Sequence, residues 1–70
     1  MEQYVQNTVQ DERLKRGITQ EELAAKIEVS RQTIIAIERG RYTPSVLLAL
    51  RIARFFKVSV EDIFKISYEK

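Results

Sequence analysis

Apolar residues recur at helical spacing along most of this chain, broken by a few capping and stopping residues. Gly17 ends a first predicted helix that covers roughly Val5 to Arg16. Thr19-Gln20-Glu21-Glu22 then reads as a capping box, in which the Thr19 hydroxyl and the Glu22 carboxylate each accept a backbone N–H of the first turn. Leu23, Ala24 and Ile27 form the apolar stripe of this second helix. Only Glu28 and Val29 separate it from Ser30, the cap of a third helix reaching Glu38 or Arg39, which Gly40 terminates. Pro44 suits a helix start, and a fourth helix is predicted from about Ser45 to Phe56. Ser59 caps a short fifth helix, Val60 to about Phe64, with Asp62 in capping-box position. Phe64 to Tyr68 alternates apolar and polar, the pattern of a short strand. A lone strand exposes unpaired backbone, so its predicted partner is a two-fold mate in a second copy.

The same pattern assigns faces. On the third helix, Ile34 and Ile37 point one way, flanked by Ser30 and Glu38, while Gln32, Ile35, Ala36 and Arg39 point the other, with Thr33 at the edge. The tight connection before this helix makes the pair a helix-turn-helix over about residues 19–39. Glu38 turns inward and needs a partner. Arg13 on the first helix fits best, because a guanidinium suits partly buried two-pronged pairing, and the role of such a pair is structural. On the fourth helix, Val46, Ala49, Ile52, Ala53 and Phe56 are predicted inward and Leu47, Arg51 and Arg54 outward.

Composition narrows the function. Seventy residues make one domain, 1–70. A chain this short buries only about 60% of its unfolded surface, so dimerisation or very regular helix packing is expected to support it. It has no Cys and no His, which excludes disulfides and leaves only carboxylates for a metal. Neither metal nor cofactor is expected, and the absence of any assembled nucleophile or phosphate loop argues against an enzyme. The polar N-terminus and the lack of a long apolar run point to a cytoplasmic protein without a membrane span. The net charge is +2, but residues 31–57 carry six Arg or Lys against Glu38 alone, while both flanking segments are net acidic. Concentrated positive charge is what phosphate binding requires. On the outward face of the third helix, Gln32 can pair with adenine, Arg39 with guanine, and Ile35 or Ala36 can meet a thymine methyl.

The stretch ITQEELAAKIEVSRQTIIAIERGRYTPSVLLALRIARFFKVSVEDIFKI resembles the XRE-type helix-turn-helix family, that of phage λ repressor and Cro. The likeness covers about residues 7 to 66. It rests on TQEELA followed by VSRQTI, then IERG and PS. It implies an all-α, λ-repressor-like bundle of about five helices; the C-terminal strand, read from its own pattern, is expected at a dimer interface through Phe64, Ile66 and Tyr68. It also implies that Gln20 contacts a phosphate and braces the recognition helix. Arg31, Gln32, Thr33 and Ala36 match positions that reach bases or nearby backbone. Arg39, Arg41 and Tyr42 match the phosphate-gripping loop, and Arg13 and Glu38 match a family ion pair. Four positions depart from the pattern: Glu28 and Lys57 replace common glycines, Glu12 replaces an apolar residue, and Leu47 replaces a polar one.

The function so implied is a homodimeric transcriptional regulator, a repressor in the first instance. Its recognition helix, about Ser30–Arg39, would read the major groove of a pseudo-palindromic duplex with half-sites about 34 Å apart. The competing expectation is an antitoxin-like or partner-controlled module, whose regulatory protein would dock on Leu47, Phe55 and the Phe64–Tyr68 tail.

Overall fold

The computed structural model describes residues 3–68. In chain order these form β1 (Gln3–Asn7), α1 (Val9–Lys15), α2 (Gln20–Lys26), α3 (Arg31–Glu38), α4 (Val46–Phe56), α5 (Val60–Ile63) and β2 (Phe64–Tyr68). The five helices are those the pattern predicts, but the fold is not purely α. β1 and β2 pair antiparallel within the chain, in a register that runs from Gln3 opposite Tyr68 to Asn7 opposite Phe64. The predicted strand is therefore real, and its partner is the N-terminal segment rather than a second copy. This also corrects the start of α1, which is Val9 and not Val5. The cause is local. The Asn7 Oδ1 accepts the Val9 N–H at 3.1 Å and opens the helix there, while Thr8 N–H donates to the Ile63 carbonyl at 3.0 Å and holds the preceding segment against the end of α5.

Each helix start beyond α1 is capped by a hydroxyl. Thr19 and Ser59 form complete capping boxes with Glu22 and Asp62, and Ser30 and Ser45 accept from Thr33 N–H and Leu48 N–H. The ends of α1 to α4 share one solution. A six-residue hydrogen bond closes each: Ile18 N–H to Arg13 O, Val29 to Ala24, Arg41 to Ala36 and Val58 to Ala53, all between 2.9 and 3.2 Å. That bond requires a left-handed residue just before its donor. Gly17 and Gly40 supply it at φ +66° and +73°, and Glu28 and Lys57 supply it at φ +62° and +60°.

Every helix contributes a side chain to the centre. Val9, Leu23, Ile34, Ile37, Ile52, Phe56 and Ile63 are essentially fully buried, so one contiguous core locks all five helices. Leu48 is buried in the first turns of α4, whereas Val46, predicted inward, is 77% exposed. Val46 sits at the edge of the arc defined by Leu48, Ala49, Ile52, Ala53 and Phe56, in the opening turn, where nothing covers it. Glu12, in a position where an apolar residue is usual, is half-buried and accepts from Arg16 and pairs with Lys15. Arg16 in turn donates to the Phe56 carbonyl at 2.8 Å and lies 4.8 Å over the Phe56 ring. A charged network thus ties α1 to the end of α4. No helix among the described residues is long and apolar enough to cross a membrane.

Candidate nucleic-acid interface

The connection between α2 and α3 runs from Ile27 to Ser30 and is set by two local facts. Glu28 in the left-handed region reverses the chain, and the Ser30 hydroxyl immediately caps the next helix, accepting Thr33 N–H at 3.2 Å and lying 3.0 Å from Thr33 Oγ1. Burial of Ile34 and Ile37 fixes the rotation of α3 about its axis. Of the residues singled out in the sequence, Arg31, Gln32, Arg39, Arg41 and Tyr42 are exposed, and Thr33, Ile35 and Ala36 are half-buried. Ile35 is thus partly covered by the protein itself, which the helical wheel does not anticipate. The set forms one surface along α3 and into the loop that follows it.

Behind this surface lies a buried polar cluster. Arg13 Nε is 2.8 Å from Glu38 Oε2 and Arg13 Nη2 is 3.2 Å from Oε1, a two-pronged pair with side chains only 8% and 3% exposed. Arg13 Nη1 also donates to the Ile18 carbonyl at 3.0 Å. Gln20 Nε2 donates to Glu38 Oε1 at 3.0 Å. α1, α2 and α3 therefore meet at one carboxylate. Its bond with Glu38 raises the Arg13 pKa above an already high value, so the guanidinium stays charged. Gln20 is half-buried, and one N–H of its amide is spent on Glu38, leaving the second for another acceptor.

The distribution of committed charge sharpens the picture. On α1, Arg13, Lys15 and Arg16 all sit in ion pairs. Among the described residues, none of Arg31, Arg39, Arg41, Arg51 and Arg54 does. Most of the positive charge left for an outside partner is that of the central segment; among the described residues, Lys26 and Lys65 add to it from outside that segment. Among the described residues no cluster of three or more potential ligands could hold a metal.

Asn7 is the structural residue that the pattern misses. Its amide joins the start of α1 to the Ile37 carbonyl in α3. An Asn two positions before a helix is a recognisable capping signal, but it is masked here because the apolar spacing continues upstream through Val5.

Comparison with known proteins agrees with this geometry. The helix-turn-helix family profile matches residues 9–63. An uncharacterised HTH-type transcriptional regulator of Methanocaldococcus jannaschii is 55% identical over 60 residues, covering 86% of this chain and 91% of that protein. The uncharacterised HTH-type transcriptional regulator YgzD of Bacillus subtilis is 43% identical over 65 residues, covering 93% and 98%. The crystal structure of the restriction-modification controller protein C.AhdI from Aeromonas hydrophila superimposes with a TM-score of 0.71 at 24% identity, over 77% of this chain and 78% of that one, which shows a shared fold. With the family profile spanning all five helices and the relatives matched over nearly their full length, the chain belongs to the XRE-type helix-turn-helix family of transcriptional regulators.

Proposed function

We propose that this protein is a cytoplasmic, homodimeric transcriptional repressor that reads duplex DNA with α3. The observation that carries the reading is the pairing of a rigid base with an uncommitted face. The Arg13–Glu38–Gln20 cluster fixes α3 from behind, while Arg31, Gln32 and Arg39 stand exposed in front of it. Arg31, Gln32, Thr33, Ile35 and Ala36 would meet base edges or adjacent backbone. Arg39, Arg41 and Tyr42 would position the helix by phosphate contacts, with the second N–H of Gln20 serving the same end. Repression follows from occupying the site.

The homodimer is supported by exposed apolar surface. Val5, Pro44, Val46, Leu50, Val60 and Phe64 line one groove, and Ile66 and Tyr68 lie exposed on the same strand as Phe64. Phe64, Ile66 and Tyr68 would lie at this interface, joined by the opening turns of α4. The same surface favours a second reading, in which a regulatory protein docks there; a stoichiometric partner co-purifying with the chain, and lost on Leu50→Glu, would identify it.

Selection from a random duplex pool at near-physiological salt tests the leading reading. Enrichment of a two-fold-symmetric site is the expected result, and a folded chain that enriches nothing would overturn it. On the selected site, Gln32→Ala is expected to cost about 1–3 kcal/mol and to relax preference at one base position. Arg41→Ala should weaken binding to all sequences alike and reduce the salt slope by about 1. An unaltered slope would remove Arg41 from the phosphate contacts.

A further inference from the structure

Among the described residues, and apart from the Ser30 cap at its start, side chains from outside α3 reach it by hydrogen bonds at two places. One is Glu38, held by Arg13 and Gln20. The other is the main chain at Ile37, held by Asn7. Asn7 is the last residue of β1 and pairs with Phe64 across the sheet. Its Oδ1 accepts the Val9 N–H at 3.1 Å, and its Nδ2 donates to the Ile37 carbonyl at 2.9 Å. That carbonyl also accepts the Gly40 N–H at 3.0 Å, in the turn where α3 gives way to Arg41 and Tyr42. Helix C-terminal carbonyls lack partners within the helix, so a donor from the sheet fixes the last turn at its weakest point. Both ends of one half-buried amide are used, and the two bonds span thirty residues of sequence.

We infer that Asn7 is a positioning residue for the recognition helix: it fastens the last turn of α3, and with it Arg39, Arg41 and Tyr42, to the β1–β2 sheet. The inference rests on the DNA-reading role proposed above. It also gives the sheet a use. A two-stranded sheet is marginal by itself, and here it carries the amide that reaches the recognition helix.

The chemistry offers a selective test. Asn7→Asp retains an acceptor for Val9 N–H and places negative charge at a helix N-terminus, where it is favourable. An ionised carboxylate cannot donate, so the bond to Ile37 is lost and two acceptors face each other. Asn7→Ser, whose shorter hydroxyl keeps the acceptor but falls short of Ile37, provides the second variant should the first fold poorly. Amide exchange at Gly40 and Arg41 should quicken in the variants, while the core amide of Ile52 keeps its protection. A last turn no longer fastened lets α3 shift against the phosphates that position it and so misplaces Gln32 and its neighbours on the bases; the ratio of affinity for the selected duplex to affinity for a scrambled one should fall about tenfold, the size of one lost base contact. A purely structural role would lower stability and leave that ratio alone in the folded variant. An unchanged ratio in a folded variant, whatever the exchange shows, overturns the inference. A wild-type chain that selects no duplex site instead overturns the DNA reading, which the wild-type arm reports separately from the variants.

Discussion

At the scale of single residues, the informative positions are those where the backbone takes a conformation its side chain opposes. Four helix ends use the same left-handed residue and the same six-residue hydrogen bond. Two of the four use glycine, and two use Glu28 and Lys57. For an L-residue the left-handed region costs roughly 1–2 kcal/mol, offset in part by the lower entropy that a non-glycine residue brings to the unfolded chain. Glu28→Gly and Lys57→Gly are therefore each expected to stabilise the fold by about 1 kcal/mol, read as a higher urea midpoint at constant slope. A Cβ added at Gly17 or Gly40 meets nothing within 4 Å, so Gly40→Ala isolates the backbone term and should destabilise by a similar amount. If the Glu28 and Lys57 replacements leave the midpoint unmoved, the unfolded-state gain cancels the strain. Glu28 sits in the turn that orients α3, and its replacement alters no exposed residue of that helix.

At the scale of elements, the helices were legible because each start and stop is written in local chemistry. Thr19, Ser30, Ser45 and Ser59 act as caps in the structure, and Gly17 and Gly40 terminate where glycine can. The buried faces of α2 and α3 followed from spacing alone. β1 was not legible. Its residues, Gln3 to Asn7, carry Tyr4 and Val5 at a spacing that also continues the stripe of α1, and a five-residue strand pairing with the far end of the chain leaves no local sign. The exposure of Val46 has a related cause, because a wheel cannot tell which edge of an apolar arc the neighbouring elements reach. The caps also carry a pH signature. The Thr19 backbone N–H and hydroxyl hold the Glu22 carboxyl below its ordinary range, the Ser59 backbone N–H and hydroxyl do the same for Asp62, and Arg16 and then Lys15 do so for Glu12. A carboxyl depressed in the folded state binds fewer protons there than in the unfolded chain, so its contribution is present above the ordinary carboxylate pKa, about 4, and is lost as pH falls through the lower folded values. With no His in the sequence, the urea midpoint should stay level between about pH 5 and 8 and decline below about pH 4.5. A midpoint that slopes through neutrality would show that some other group governs stability. Glu22→Gln should flatten part of the acid decline.

At the scale of the whole molecule, the proposed homodimer raises the issue of how two α3 helices would be held together. Three of the large exposed apolar residues fall together: Val46, Leu47 and Leu50 are 77%, 61% and 52% exposed on the opening turns of α4. This region follows α3 after only a short loop, so a two-fold axis passing beside it would keep both α3 helices near the axis. The chain measures 36 × 23 × 22 Å. Two copies in direct contact therefore have centres between about 22 and 36 Å apart, a range that contains the spacing of successive major grooves, about 34 Å. An isologous interface at this groove would repeat Val46, Leu50 and Phe64 on both sides of the axis, and a charge placed in its centre would be buried twice without a partner. Val46→Asp and Leu50→Asp, both at exposed positions, should leave the monomer folded and shift sedimentation from dimer to monomer. They should also convert binding to the full palindrome into weak, independent binding of half-sites, because the linkage between the two recognition helices is lost. Ile66→Asp should weaken the dimer less if α4 forms the centre and Tyr68 and Ile66 the rim. A dimer that survives both α4 substitutions would move the axis away from this groove, to the outer face of the sheet where Tyr4 is exposed.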